Sequence, residues 1–150
     1  MVSLLAFVIP MIAMLLFSNY FAIKINVSDS LANQVFLIRK GTLPERIGQL
    51  IVFKAPHGSG YKEPFIKIVG GMQGDQVSRV NKEYFVNSKL IGTVKDYDKR
   101  GNPTVLGPVG AIPEGKYFVY TDHKDSYDSK YEGVGWVDSK HILGVAYAIY

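Results

Sequence analysis

Cysteine is absent from all 150 residues. That excludes a disulfide frame, thiolate catalysis and a thiolate metal site. Charge is absent from residues 1–23, so all 17 basic and 13 acidic side chains lie between Lys24 and the C-terminus. The positives, among them Lys24, Arg39, Lys40, Lys62, Lys82, Lys95 and Lys99, are scattered. A net charge of +4 spread in this way does not make the one-sided basic track that nucleic acid requires, so no nucleic-acid partner is expected. His57, His123 and His141 lack metal-ligand spacing. No GK[ST] follows Gly70-Gly71 or Gly74, so these glycines form no phosphate loop. Neither a metal nor a cofactor is expected. No acidic pair reads as a glycosidase dyad, and neither an internal repeat nor a low-complexity segment occurs.

The chain is long enough for one domain with one core. Ten tyrosines, eight phenylalanines and fifteen glycines indicate a β-rich body with many turns. Residues 1–23, MVSLLAFVIPMIAMLLFSNYFAI, read as one apolar helix. At that length it would reach about 35 Å, against about 30 Å of hydrocarbon core. A basic n-region and a convincing small-x-small cleavage site are both missing, which favours a retained signal anchor over a cleaved signal. The expected organisation is a transmembrane anchor over residues 1–23 and a β-rich domain over 24–150. A polar flap spans about 92–112. Strands are expected over 35–38, 48–53, 65–69 and 116–120, with a hairpin over 77–91 turning at Asn87-Ser88 and a last strand or strands within 134–150. Residues 121–133, TDHKDSYDSKYEG, read as a polar loop.

The organising stretch is EPFIKIVGGMQGD, residues 63–75. Phe65, Ile66, Ile68 and Val69 make the continuous apolar run of a strand buried on both faces, although a buried helical turn has the same look. Lys67 sits at its centre. If desolvated, its amine loses its proton near neutral pH and becomes a general base; on an edge strand it would instead be a protective outward lysine. A serine hydroxyl needs such a base before it attacks a carbonyl. Ser30 is the candidate nucleophile, with Ser28 two residues earlier placed to add a hydroxyl to the Ser30 backbone N–H as oxyanion donors. The plainer alternative for Ser28-Asp29-Ser30 is a solvated turn.

Taken in order, these pieces resemble the signal peptidase I superfamily, and within it the TraF-type peptidases of conjugative transfer. NVSDS (26–30) is similar to the serine box, GQLIVF (48–53) to the following strand, FIKIVGGMQGDQV (65–77) to the lysine box, and DHKDSYDSKYEG (122–133) to the last box. The resemblance implies a mainly β, signal-peptidase-like catalytic domain behind one N-terminal membrane helix. It implies Ser30 as the acylated nucleophile, Lys67 as general base, and Ser28 and Ser30 as the oxyanion hole. Ser126 would orient the lysine, Asp128 and Ser129 would brace its loop, and Gly74-Asp75 would make the turn fixing the lysine strand.

The chain departs from the pattern at Leu31-Ala32-Asn33-Gln34, where a proline and glycine usually follow, at Gln49 for Asp, at Ile68 for Arg, and at Lys130 for Arg. The implied partners are an exported protein or prepilin as substrate, processed by hydrolysis or cyclisation, and membrane lipid. Oligomeric state is left open. Lys24, Arg39 and Lys40 alone argue for a cytoplasmic body. The resemblance implies the opposite, a single-pass protein of the bacterial inner membrane with its catalytic domain outside, and that expectation is carried forward. Two rivals are a non-catalytic membrane-anchored pilus or secretion component, and a self-cleaving repressor, which would need a DNA-binding domain in place of residues 1–23.

Overall fold

A computed structural model describes residues 5–25, 31, 35–98 and 100–149. Helix α1 (Leu5–Tyr20) leads directly into strand β1 (Phe21–Ile25). The body contains β2 (Val35–Lys40), β3 (Leu50–Phe53), β4 (Phe65–Gly71), β5 (Gln76–Val80), β6 (Glu83–Val86), β7 (Lys89–Thr93), β8 (Gly110–Ala111), β9 (Lys116–Tyr120), β10 (Val137–Asp138) and β11 (Ile142–Ala148). The pairings are antiparallel throughout, giving a seven-stranded sheet ordered β1-β2-β11-β3-β4-β9-β10 and a four-stranded sheet ordered β7-β6-β5-β8. The mainly β body expected from composition is what the chain forms.

The N-terminal helix ends earlier than expected, at Tyr20 and not at Ile23. Its 16 described residues rise about 24 Å, against about 30 Å of hydrocarbon. Among the described residues no helix is long and apolar enough to cross a membrane. Helical continuation stops because 21–25 find a better use for their backbone: they pair with β2, Ala22 opposite Ile38 and Ile25 opposite Val35. Ile23 and Ile25 are β-branched and suit a strand. Lys40 donates from Nζ to the Ser18 carbonyl at 2.7 Å, satisfying one carbonyl of the last helical turn. The helix is apolar on every side, with Phe7, Ile9, Met11, Met14, Leu15, Leu16 and Phe17 all exposed.

Both faces of the seven-stranded sheet are covered near its middle. Ile51, Phe53, Val69, Val119 and Val145 pack on one face, and Phe36, Ile38, Val52, Ile66 and Ala146 on the other. β4 lies inside the sheet between β3 and β9. A buried strand reads as a continuous apolar run for this reason, and the alternatives of a helical turn or an edge strand with an outward lysine are both excluded. Gly70 and Gly71 leave room for the neighbouring strand: a Cβ on Gly70 would lie 2.8 Å from the Tyr120 ring, and one on Gly71 2.6 Å from Ile112 Cδ1.

The expected single hairpin over 77–91 is a three-stranded meander. Its second turn falls at Asn87-Ser88 as read, with both residues at positive φ, as the tight primed turns of hairpins require. The first turn, at Asn81-Lys82, was not anticipated. The expected flap is tethered at both ends. β7 holds 92–93 and β8 holds 110–111, and Leu106 bridges to Tyr131 while Gly107 N–H donates to the Lys130 carbonyl at 2.7 Å. Between these ties Tyr97 bridges to Pro103, and the Asp98 carboxylate accepts from the Arg100 and Asn102 backbone.

Candidate active site

Strand β4 delivers Lys67 to the interior. Directly opposed residues of an antiparallel pair share a face, so Lys67 lies with Ile51, and Phe65 with Phe53. Lys67 is 5 % exposed, and its Nζ lies 5.6 Å from the centroid of the Phe65 ring. Burial pulls its pKa from 10.5 down to about 8; the Asp128 carboxylate opposes that change and the Lys130 ammonium adds to it. The amine therefore gives up its proton close to physiological pH.

Among the described residues one polar side chain reaches it. Lys67 Nζ donates to Ser126 Oγ at 2.9 Å, a contact between residues 59 positions apart. Ser126 sits in the 121–133 loop, which runs alongside β9 and is clamped there. Ser129 N–H donates to the Val119 carbonyl at 3.0 Å, and the Val119 N–H donates back to Ser129 Oγ at 2.9 Å. Ser129 thus acts as a backbone surrogate that extends the β9 ladder. Asp128, 0 % exposed, accepts from Lys130 Nζ at 2.7 Å and from the Lys130 N–H at 3.1 Å. Two buried opposite charges two residues apart lock the loop beyond Ser126, and neither could stay buried without the other.

Gly74 and Asp75 make the turn from β4 to β5. Gly74 takes φ +87°, and Asp75 accepts from the Met72 N–H at 2.8 Å and from Asn87 Nδ2 at 2.7 Å. They fix the far end of the lysine strand and lie away from its amine. The structure thus brings together Lys67, Ser126, Asp128 and Ser129, while Ser28 and Ser30 lie outside the described residues. Their flanks are described. Lys24, near the end of β1, donates to the Pro64 carbonyl at 3.0 Å, immediately before β4, and Leu31 packs on the cluster containing Ile66.

Sequence reading missed two features. Lys130 appeared only as a substitution for arginine, although its spacing from Asp128 could have suggested the pair. The packing of Phe65 on Lys67 could have been read from their i, i+2 spacing once a strand was assumed. A cleft of about 470 Å³ lined by Arg39, Thr42, Glu45 and Gln49 includes none of the Lys67 cluster. Among the described residues no group of His, Asp and Glu could hold a metal ion.

The sequence profile of a family described as "Signal peptidase, peptidase S26" matches residues 1–150. A probable signal peptidase I-2 of Synechocystis sp. is 32 % identical over 108 residues, 69 % of this chain and 47 % of its own. A signal peptidase I of Bacillus amyloliquefaciens is 31 % identical over 108 residues, 66 % of this chain and 55 % of its own. The chain spans about half the length of these curated relatives. A crystal structure of a signal peptidase I from Enterococcus faecalis V583 overlays with a TM-score of 0.46 at 21 % identity, covering 70 % of this chain and 98 % of that one.

Proposed function

The chain belongs to the signal peptidase S26 family, and from that premise we propose that it is a serine peptidase whose Ser30 is the nucleophile and Lys67 the general base. The observation that carries the reading is a buried lysine of lowered pKa, hydrogen-bonded to a serine on a doubly braced loop. A neutral amine so placed accepts a proton without help from histidine. The Lys24 tie to the Pro64 carbonyl brings the chain that precedes Ser30 to the start of the lysine strand, which supports the reading.

Ser30 Oγ attacks the scissile carbonyl and its proton passes to Lys67. The Ser28 hydroxyl and the Ser30 N–H stabilise the oxyanion, and Lys67 then protonates the leaving amine. Ser126 holds the amine in line, while Asp128 and Ser129 hold Ser126. The substrates are exported precursors bearing signal peptides. A conjugative prepilin, trimmed and cyclised as in the TraF branch, is the narrower candidate and rests on the order of the sequence boxes alone. Attachment of the uniformly apolar α1 to the bacterial inner membrane, with the body on the outer side, accounts for its exposed side chains.

The test is intact-mass analysis of a co-expressed signal-peptide-bearing precursor with wild type, Ser30→Ala and Lys67→Ala. Trimming lost in both variants supports the dyad. Trimming retained in either refutes it, and a role in pilus or secretion assembly that survives Ser30→Ala favours the non-catalytic component. A prepilin in the same assay decides the narrower substrate, since cyclisation removes a further water.

A further inference from the structure

Among the described residues, one buried side-chain polar atom has no hydrogen-bond partner, and it is Thr121 Oγ1. Thr121 is 2 % exposed. An unsatisfied buried hydroxyl is costly, and its persistence calls for a physical reason. Its position supplies one. β4 and β9 pair with Ile68 opposite Tyr120 and Val69 opposite Val119. One further step in that register brings Thr121 opposite Lys67, and opposed residues share a face. Val119, two residues earlier, lies in the cluster with Val69, Ile51 and Phe53, which is the face that carries Lys67. Ser126 already engages the Lys67 amine, and Ser129 ties the Ser126 loop to Val119. The free hydroxyl and the general base therefore flank the same interior site.

We propose that Thr121 is a positioning residue whose hydroxyl holds the water that resolves the acyl intermediate beside Lys67. The inference rests on the Ser–Lys reading above. A water there has the hydroxyl of Thr121 and the amine of Lys67 as partners, and a buried water needs two to four such groups. In the step, the water oxygen bonds to the ester carbonyl carbon of acylated Ser30 while its proton passes to the Lys67 amine. The tetrahedral intermediate collapses with cleavage of the carbon–Oγ bond. The Lys67 ammonium returns the proton to Ser30 Oγ, and a carboxylic acid departs. Ser126, occupied with the lysine, orients the base; Thr121 orients the nucleophile.

Valine has the shape of threonine without the hydroxyl, so Thr121→Val removes the function and an unsatisfied group together. The full chain is mixed with a synthetic peptide carrying an Ala-x-Ala signal-peptide site, and turnover, intact mass and Tm are followed for wild type, Thr121→Val and Thr121→Ser. The expected result is a fall in kcat of about tenfold in Thr121→Val, accumulation of the acylated protein mass, an unchanged or raised Tm, and near-wild-type turnover in Thr121→Ser. A kcat within twofold of wild type in Thr121→Val, or a fall without the acyl adduct, overturns the proposal. A crystal structure judges it independently of activity. An ordered water bonded to both Thr121 Oγ1 and Lys67 Nζ supports it, whereas a direct hydroxyl–amine contact or a dry pocket refutes it. A wild-type chain inert toward the peptide would sink the peptidase reading, and the crystallographic result would still decide what Thr121 holds.

Discussion

Replacing Lys67 with methionine exchanges a buried ammonium for an unbranched apolar side chain of similar length. Burial holds the folded-state pKa at about 8 against a reference of 10.5. Below pH 8 both folded and unfolded chains carry the proton, so the folded state bears the whole cost of burying the charge. At about 1.4 kcal/mol per pKa unit that cost is about 3 kcal/mol. Methionine removes it but leaves the Ser126 hydroxyl without its donor, a loss of about 1 kcal/mol. The net expectation is a gain of about 2 kcal/mol at pH 7 for Lys67→Met, together with loss of catalysis.

The pH dependence makes the argument specific. Between pH 8 and 10.5 the unfolded wild-type chain binds more protons than the folded one, so wild-type stability rises with pH in that window relative to the variant. Urea unfolding of both proteins at pH 7 and pH 10 reads the difference directly, since every other titrating group is shared. The variant's advantage should stay nearly constant up to about pH 8 and shrink above it. A Lys67→Met protein less stable than wild type at pH 7, or an advantage that does not change with pH, would refute the claim that Lys67 is a desolvated amine.

Peptidase activity should rise with pH as the lysine deprotonates. With a pKa of about 8 the neutral fraction climbs from about 9 % at pH 7 to about 91 % at pH 9, so kcat/KM should increase about tenfold; a flat profile would point to another base. Asp128→Asn leaves the Lys130 ammonium buried without its counter-charge, and should cost about 3–5 kcal/mol in urea unfolding. Asp128→Asn with Lys130→Met should recover most of that loss, and failure to recover it would mean the pair is not what holds the loop. Gly107→Ala would drive a Cβ into the carbonyl oxygen of Ser129. The backbone must then shift the Ser126–Lys130 segment, and kcat should fall more than KM changes, as measured on one precursor peptide at saturating and limiting concentrations.

Much of the site was legible because its chemistry is local in sequence. An apolar run of strand length with one lysine at its centre has few homes, and β4 inside the sheet is one of them. Asn87-Ser88 announced its turn through residues that tolerate positive φ. The N-terminal helix was misjudged because composition was the only guide to its end. Hydrophobicity does not distinguish a further turn of helix from a strand that pairs with β2, and backbone pairing chose the strand. The 77–80 segment was merged into one hairpin although Asn81, which takes φ 54°, carries the same turn signal as Asn87.

By itself the sequence determined which groups could react: one lysine amid apolar neighbours, serines in short polar stretches, and neither thiol nor metal cluster to compete. Tertiary structure decided which of them meet. Lys67 owes its lowered pKa to burial between β3 and β9, and its partner Ser126 comes from 59 residues away. The Asp128–Lys130 pair, written two residues apart, becomes a lock only because both side chains are taken out of water. Thr121 was one more polar residue at a loop boundary until the β4–β9 register, carried one step past Tyr120, pointed to a place opposite the lysine. Reactivity of this kind depends on desolvation and on register, and both are properties of strands brought together from distant parts of the chain.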